Sequence, residues 1–348
     1  MTQPKKINEI MNEMMQKANG NPPPRSKEPR ISILQKEALS QRMERLMPQY
    51  RKAIAAQNFE DAKAVLRDLQ VVLRDLSKHT KLAELKNQFF ELALEEGFYD
   101  FAIDGFLSNR KLVKTNTRLY LEATALLAIS YLRKNHIAKA KPHIREVLQS
   151  QNVIKTESTR NKFNKEIIER FDEECVLASL RSDTKQQYNL DSFHSQALQS
   201  SNTLTEGEIY AAIGKVLPKL TKDLLYEIDE FSKKQLSYKE QKLLPPPEDV
   251  IKDEEAGRTM FKSFKRVVYK SLCDPTSEVY KGWYTNAVGL TTDKKYISGA
   301  IAAALAGYGI GFSMLGVSAA ALILRFGLDI YCERYKPATV TEFRRKGV

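Results

Sequence analysis

The chain has 348 residues, with 55 Lys and Arg against 43 Asp and Glu, 15 Gly, 13 Pro and 42% hydrophobic residues. That glycine and proline content excludes a collagen-like or wholly disordered chain, and the hydrophobic share suffices for a packed interior. The net charge of +12 favours an anionic partner, nucleic acid or a lipid headgroup surface, without dictating a fold.

Met1–Asn21 carries Lys5, Lys6, Glu9, Glu13 and Lys17 and lacks the apolar stretch of a secretory signal, which assigns the chain to a reducing cytoplasm. Ile7–Ala18 reads as a short helix. Gly20–Arg30, with three successive prolines that cannot continue a helix, reads as an exposed linker. From Ile33 to Ser182 the apolar residues recur at helical spacing, broken by short polar or glycine-containing turns, which predicts about five to seven helices.

Self-comparison of this region gives a repeat. Asn58-Phe59-Glu60-Asp61-Ala62 precedes Leu66; Gly97-Phe98-Tyr99-Asp100-Phe101-Ala102 precedes Phe106; Asn135-His136-Ile137-Ala138-Lys139-Ala140 precedes Ile144. In each copy a turn ends one helix, a small residue (Ala62, Ala102, Ala140) lets the next helix approach closely, and a large apolar residue fills the same face one turn on. Leu127, Ala128, Tyr131, Ala140 and Ile144 fall at the offsets of a tetratricopeptide-type helix pair, and the stretch 35–150 resembles that family. The copies are spaced more widely than the family's usual repeat of about 34 residues, so a looser helical solenoid is equally compatible. The resemblance implies a surface that binds another protein or peptide, and no enzyme activity.

Asp183–Thr205 is rich in Gln, Ser, Asn and Thr and reads as a polar connector with one weak helix. Thr205 and Glu208 have the spacing of a capping box and open a helical pattern through Ile209, Ile213, Leu217, Leu220, Leu224 and Ile228, which Pro218 kinks or splits. Pro245–Pro247 marks the next boundary. Beyond it, Arg258–Leu272 places Met260, Phe261, Phe264, Val268 and Leu272 on one face, with Arg258, Lys262, Lys265, Arg266 and Lys270 largely elsewhere. Such a basic amphipathic helix suits an anionic membrane, nucleic-acid phosphates or plain solvent. Tyr280, Trp283 and Tyr284 follow, and amphipathic aromatics favour a membrane interface.

Tyr296–Leu324 is uncharged, and as one helix would reach about 43 Å, enough to span a hydrocarbon core of about 30 Å. Its composition is Ala and Gly rather than Leu. Gly307 and Gly311 form a G-x-x-x-G pair suited to close helix association in a membrane. Three glycines in Gly307–Gly311 serve equally to turn a hairpin, Tyr296–Ala306 against Val317–Tyr331. A membrane-inserting element, a buried hairpin and a buried element released on demand all stay open. Followed by Gly327-Leu328-Asp329-Ile330-Tyr331-Cys332-Glu333, the module resembles the C-terminal apolar module of some bacterial conflict-system proteins, which implies a defence role with a membrane-acting tail.

Chemistry-bearing residues are sparse. Cys175, Cys273 and Cys332 are odd in number and far apart, which argues against a disulfide framework or a zinc site. His79, His136, His143 and His194 lack metal-ligand spacing, no nucleophile or phosphate-loop motif occurs, and no cofactor is expected. The chain therefore divides into a helix and linker (1–30), a helical-repeat domain (31–182), a connector (183–205), a helical segment (206–247), a basic and aromatic segment (248–295), an apolar helix or hairpin (296–336) and a basic tail (337–348). The expected class is all-α, a helical-hairpin scaffold with a C-terminal Gly/Ala-rich helix or hairpin. The expected function is non-enzymatic: the repeats engage a protein partner, and the apolar module attaches the chain to the cytoplasmic membrane or self-assembles as a homo-oligomer. Two alternatives accompany it, an oligomerising effector that perforates membranes and a basic nucleic-acid-associated protein with a buried hairpin.

Overall fold

The computed structural model describes residues 32–181, 189–233, 252–275, 277, 280–282, 295–311 and 313–344. The expected N-terminal helix and linker lie outside them, as do Trp283 and Tyr284. The fold is all-α; among the described residues the only β feature is an isolated bridge between Arg181 and Ile310.

Three helix pairs come first: α1 (Ile33–Ala55) with α2 (Phe59–Asp75), α3 (His79–Glu95) with α4 (Tyr99–Leu112), and α5 (Arg118–Arg133) with α6 (Ile137–Gln149). Each helix packs on the next, and the first helices of successive pairs also pack on one another, α1 on α3, α3 on α5, and α5 on α7 (Glu157–Leu180). One turn is used four times. Gln57, Ser77, Gly97 and Asn135 all have positive φ, and the next residue's N–H returns to the carbonyl five positions back: Asn58 to Ala53, Lys78 to Leu73, Phe98 to Ala93, His136 to Tyr131. These are Schellman endings, which satisfy the last carbonyls of one helix and reverse the chain into the next. Gly97 has the residue type that suits this geometry best, Asn135 the next best, and a Cβ at Gly97 would meet nothing within 4 Å. Gly97→Ala should therefore cost about 1 kcal/mol through backbone strain alone, read as a lower urea midpoint with an unchanged slope.

Ala62, Ala102 and Ala140 are fully buried on α2, α4 and α6, with Leu66, Phe106 and Ile144 beside them and Leu127 buried on α5. Tyr131 is partly buried and stacks on His143. The small residues are thus enclosed on the second helix of each pair.

The second half is built around a different core. α8 (Leu190–Thr203) occupies the stretch read as a polar connector and buries Phe193, His194 and Ala197. α9 (Glu206–Val216) opens on the predicted capping box of Thr205 and Glu208, and Pro218 splits it from α10 (Lys219–Lys233). α11 is Asp253–Cys273. The apolar stretch forms a hairpin, α12 (Lys295–Gly307) and α13 (Ser313–Phe326), followed by α14 (Leu328–Arg334). Its turn uses Gly309 at φ 74°, with the Ile310 N–H returning to the Leu305 carbonyl. Ala300, Ile301, Leu305 and Ala319–Ile323 are buried in one cluster with residues of α8, α9 and α11. Arg325 donates to the Ser201 and Leu204 carbonyls, tying α13 to the end of α8.

Within the chain Gly307 marks no close helix crossing, since a Cβ there would meet nothing within 4 Å; Gly311 is buried just beyond the turn. The close crossing lies between α9 and α11. A Cβ on Gly214 would overlap the Asp253 backbone, and one on Gly257 the Tyr210 carbonyl. The reading against disulfides is also corrected: Cys273 at the end of α11 bonds to Cys332 on α14, with Cα atoms 5.4 Å apart, and only Cys175 is free. The packing of α14 against α11 brings together two residues separated by 59 positions, a proximity that spacing alone does not reveal.

Candidate functional site

Charged side chains meet where the two halves join. Arg170 on α7 is enclosed and bridges Glu95 of α3 (2.7 Å) and Glu174 of its own helix (2.9 Å). Arg133 on α5 reaches the same two carboxylates, at 3.3 Å and 2.6 Å. From α11, Lys265 and Arg266 both pair with buried Glu173, at 2.5 and 2.7 Å. Burial pushes the Glu95 carboxyl up, but the guanidiniums of Arg133, Arg170 and Arg266 outweigh it and hold the group well below the usual carboxylate range. Glu174 is lowered in the same way, burial being overcome by Arg133 and Arg170.

The C-terminal segment is locked onto this network. The Arg170 and Arg266 Nη1 groups both donate to the Ala338 carbonyl, at 3.4 and 2.8 Å. A 3-10 turn, Val340–Arg344, then docks on the first helices α3, α5 and α7. Thr339 and Glu342 cap it reciprocally, the Thr339 N–H donating to Glu342 Oε2 and the Glu342 N–H to Thr339 Oγ1. Glu91 on α3, buried to 1% exposure, accepts the Val340 N–H (2.5 Å), the Thr341 N–H (3.0 Å) and the Thr341 hydroxyl (2.6 Å). Burial pushes the Glu91 carboxyl up, against the Thr341 hydrogen bonds and the charge of Arg170. Val340 and Phe343, three apart and so aligned on a 3-10 turn, are both buried in the repeat core. We call Pro337–Phe343 the strap.

Beside the strap an open groove of about 630 Å³ runs along α1 and α3. It is lined by Met47, Arg51, Ile54, Gln88 and Leu92, with Thr339, Thr341 and Glu342 of the strap as one wall. A second depression of about 940 Å³ lies at the far edge of the first pairs, between Leu39, Arg74, His79, Leu82 and Leu112.

The residues read as an anionic-surface site do not form one free basic face. Lys265 and Arg266 are consumed by Glu173, Lys270 lies 3.4 Å from Glu96, and Arg258 pairs with Glu254 (2.7 Å) and Glu206 (3.4 Å); Lys262 is exposed. The tail is likewise not a free basic extension through Phe343, and Arg345–Val348 lie outside the described residues. Among the described residues no three His, Cys, Asp or Glu side chains are placed to hold a metal. Among them, too, no single helix is long and apolar enough to cross a membrane; Met314–Phe326 with Leu328–Arg334 has the length and composition together, but the pair bends by 101°.

Sequence reasoning missed Glu91, Arg133, Arg170, Glu173, Glu174 and the strap. One signal was present: Thr339-x-x-Glu342 has capping-box spacing. Comparison with protein families, curated proteins and solved structures finds no match to this chain.

Proposed function

We propose that this protein is a non-enzymatic interaction scaffold whose first-helix face binds a peptide segment of a protein partner. The observation that carries the reading is the groove along α1 and α3, open beside a segment of the chain already held on the same row of helices by backbone hydrogen bonds. Adjacent helix pairs packed on one another, each with a buried small residue on its second helix, support a tetratricopeptide-like or related solenoid reading, in which such a face serves recognition. In this reading the apolar hairpin is the core of the second half, on which α11 is mounted. Its burial among α8, α9 and α11 favours that role over attachment to a membrane.

Selection of a displayed random-peptide library on the full-length chain tests this. Enriched peptides should lose at least about tenfold in affinity, or 1.4 kcal/mol, when Arg51→Glu or Gln88→Arg alters the groove wall. Absence of enrichment, or enriched peptides indifferent to both substitutions, would count against the groove.

A further inference from the structure

The strap has the features of a bound ligand rather than of a simple chain end. Its turn is internally capped by Thr339 and Glu342, two backbone N–H groups are read by one enclosed carboxylate, and one backbone carbonyl is read by two guanidiniums. Two apolar side chains, Val340 and Phe343, fill the space beneath. Most of these contacts recognise backbone, so they suit any chain that offers the same turn with a β-branched residue and an aromatic three positions later. The site is also larger than its occupant. The groove continues past Thr339, Thr341 and Glu342 along α1 and α3, where the half-buried Met47 and Ile54 line it beyond the strap.

We propose that Ala338–Phe343 is a built-in ligand of the first-helix face, and that the partner is a longer peptide of the same pattern, Thr-Val-Thr-Glu-Phe or its equivalent, which displaces the strap and fills the open groove as well. This rests on the peptide-binding reading and adds the partner's chemistry and its control. A tethered ligand competes at an effective concentration of about millimolar, so a partner that reproduced only the strap's contacts would gain nothing at cellular concentrations. The extra apolar surface along α1 and α3 supplies the difference.

The test uses the full-length chain and a fluorescein-labelled peptide of sequence Lys336–Arg344, followed by fluorescence anisotropy. The strap variant Thr341→Ala/Phe343→Ala should bind the peptide at least about tenfold more tightly than the unmodified chain, because the tethered competitor is weakened while its site is intact. Adding Glu91→Ala should abolish that gain. Equal affinity for the variant and the unmodified chain, or no binding by a variant whose helical circular dichroism is unchanged, overturns the proposal.

Should the double variant fold poorly, the unmodified chain decides. Peptide at concentrations well above the roughly millimolar effective concentration of the tethered strap should accelerate hydrogen exchange at the Val340 and Thr341 amides of the chain, and unaltered exchange at those concentrations overturns displacement. A concentration-dependent dimer that Val340→Asp dissolves would assign the site to a second copy of the chain and overturn the separate partner. In each failing case, library peptides sensitive to Arg51→Glu and Gln88→Arg would leave the scaffold reading standing, so the two failures are distinguishable.

Discussion

Gly257→Ala is expected to destabilise the protein by about 3 kcal/mol, at the upper end of what one added methyl costs in a packed interior. The cost is large because the obstacle is backbone. The new Cβ would overlap the Tyr210 carbonyl oxygen and its carbon, with the Gly214 nitrogen 3.1 Å away. A side chain could turn aside; a carbonyl inside α9 moves only if the helix moves. Separating α9 from α11 loosens the edge-to-face packing of Tyr210 on Phe261, rings 5.8 Å apart, and with it the contacts Phe261 makes to Tyr331 and Tyr335. Gly307→Ala is the matched control. It adds the same methyl near the end of a helix into open space, where helix propensity alone favours alanine by up to about 1 kcal/mol. Thermal and urea midpoints that fall equally for both variants would refute the crossing as the cause.

Arg170→Ala should cost about 3–5 kcal/mol, the range for removing one partner from a buried ion pair. Its guanidinium has no exposed surface and serves Glu95, Glu174 and the Ala338 carbonyl at once. Arg133 remains, but one bridging cation then faces two carboxylates, of which Glu174 is fully buried. The effect carries a pH signature. Glu95 and Glu174 are held below their ordinary value in the folded chain, so the network's contribution is complete above the ordinary carboxylate pKa of about 4.3 and is lost as pH falls through the depressed values. The unmodified chain should lose stability steeply on acidification below that point, and Arg170→Ala less steeply. Parallel curves of urea midpoint against pH would show that the variant acts through packing instead.

How much of this was legible in the sequence follows from the range of each interaction. Ala62, Ala102 and Ala140 could be placed because turn, small residue and large apolar residue lie within a few positions of one another. The Thr205–Glu208 cap and the break at Pro218 are equally local. The hairpin was one of the open readings, and Gly309 at positive φ decides its turn. Glu91 and Thr341 are 250 positions apart, and Cys273 and Cys332 are 59 apart, so no spacing rule reaches them. The basic helix misled for a related reason. Helical periodicity puts Lys265 and Arg266 off the apolar face, but it does not reveal that Glu173 of another helix covers that side. Ser77 was invisible as a turn because serine is not the residue usually chosen for positive φ.

One helix belongs to both cores. The N-terminal part of α7, with Phe163, Ile167 and Phe171, lies in the repeat core, while Val176, Leu177 and Leu180 lie in the core formed with the apolar hairpin. Neither half can melt without stripping apolar cover from the other through a continuous rod of backbone hydrogen bonds. The stability of α7 is therefore drawn from both cores at once, which sets the hairpin and the strap site on one shared element.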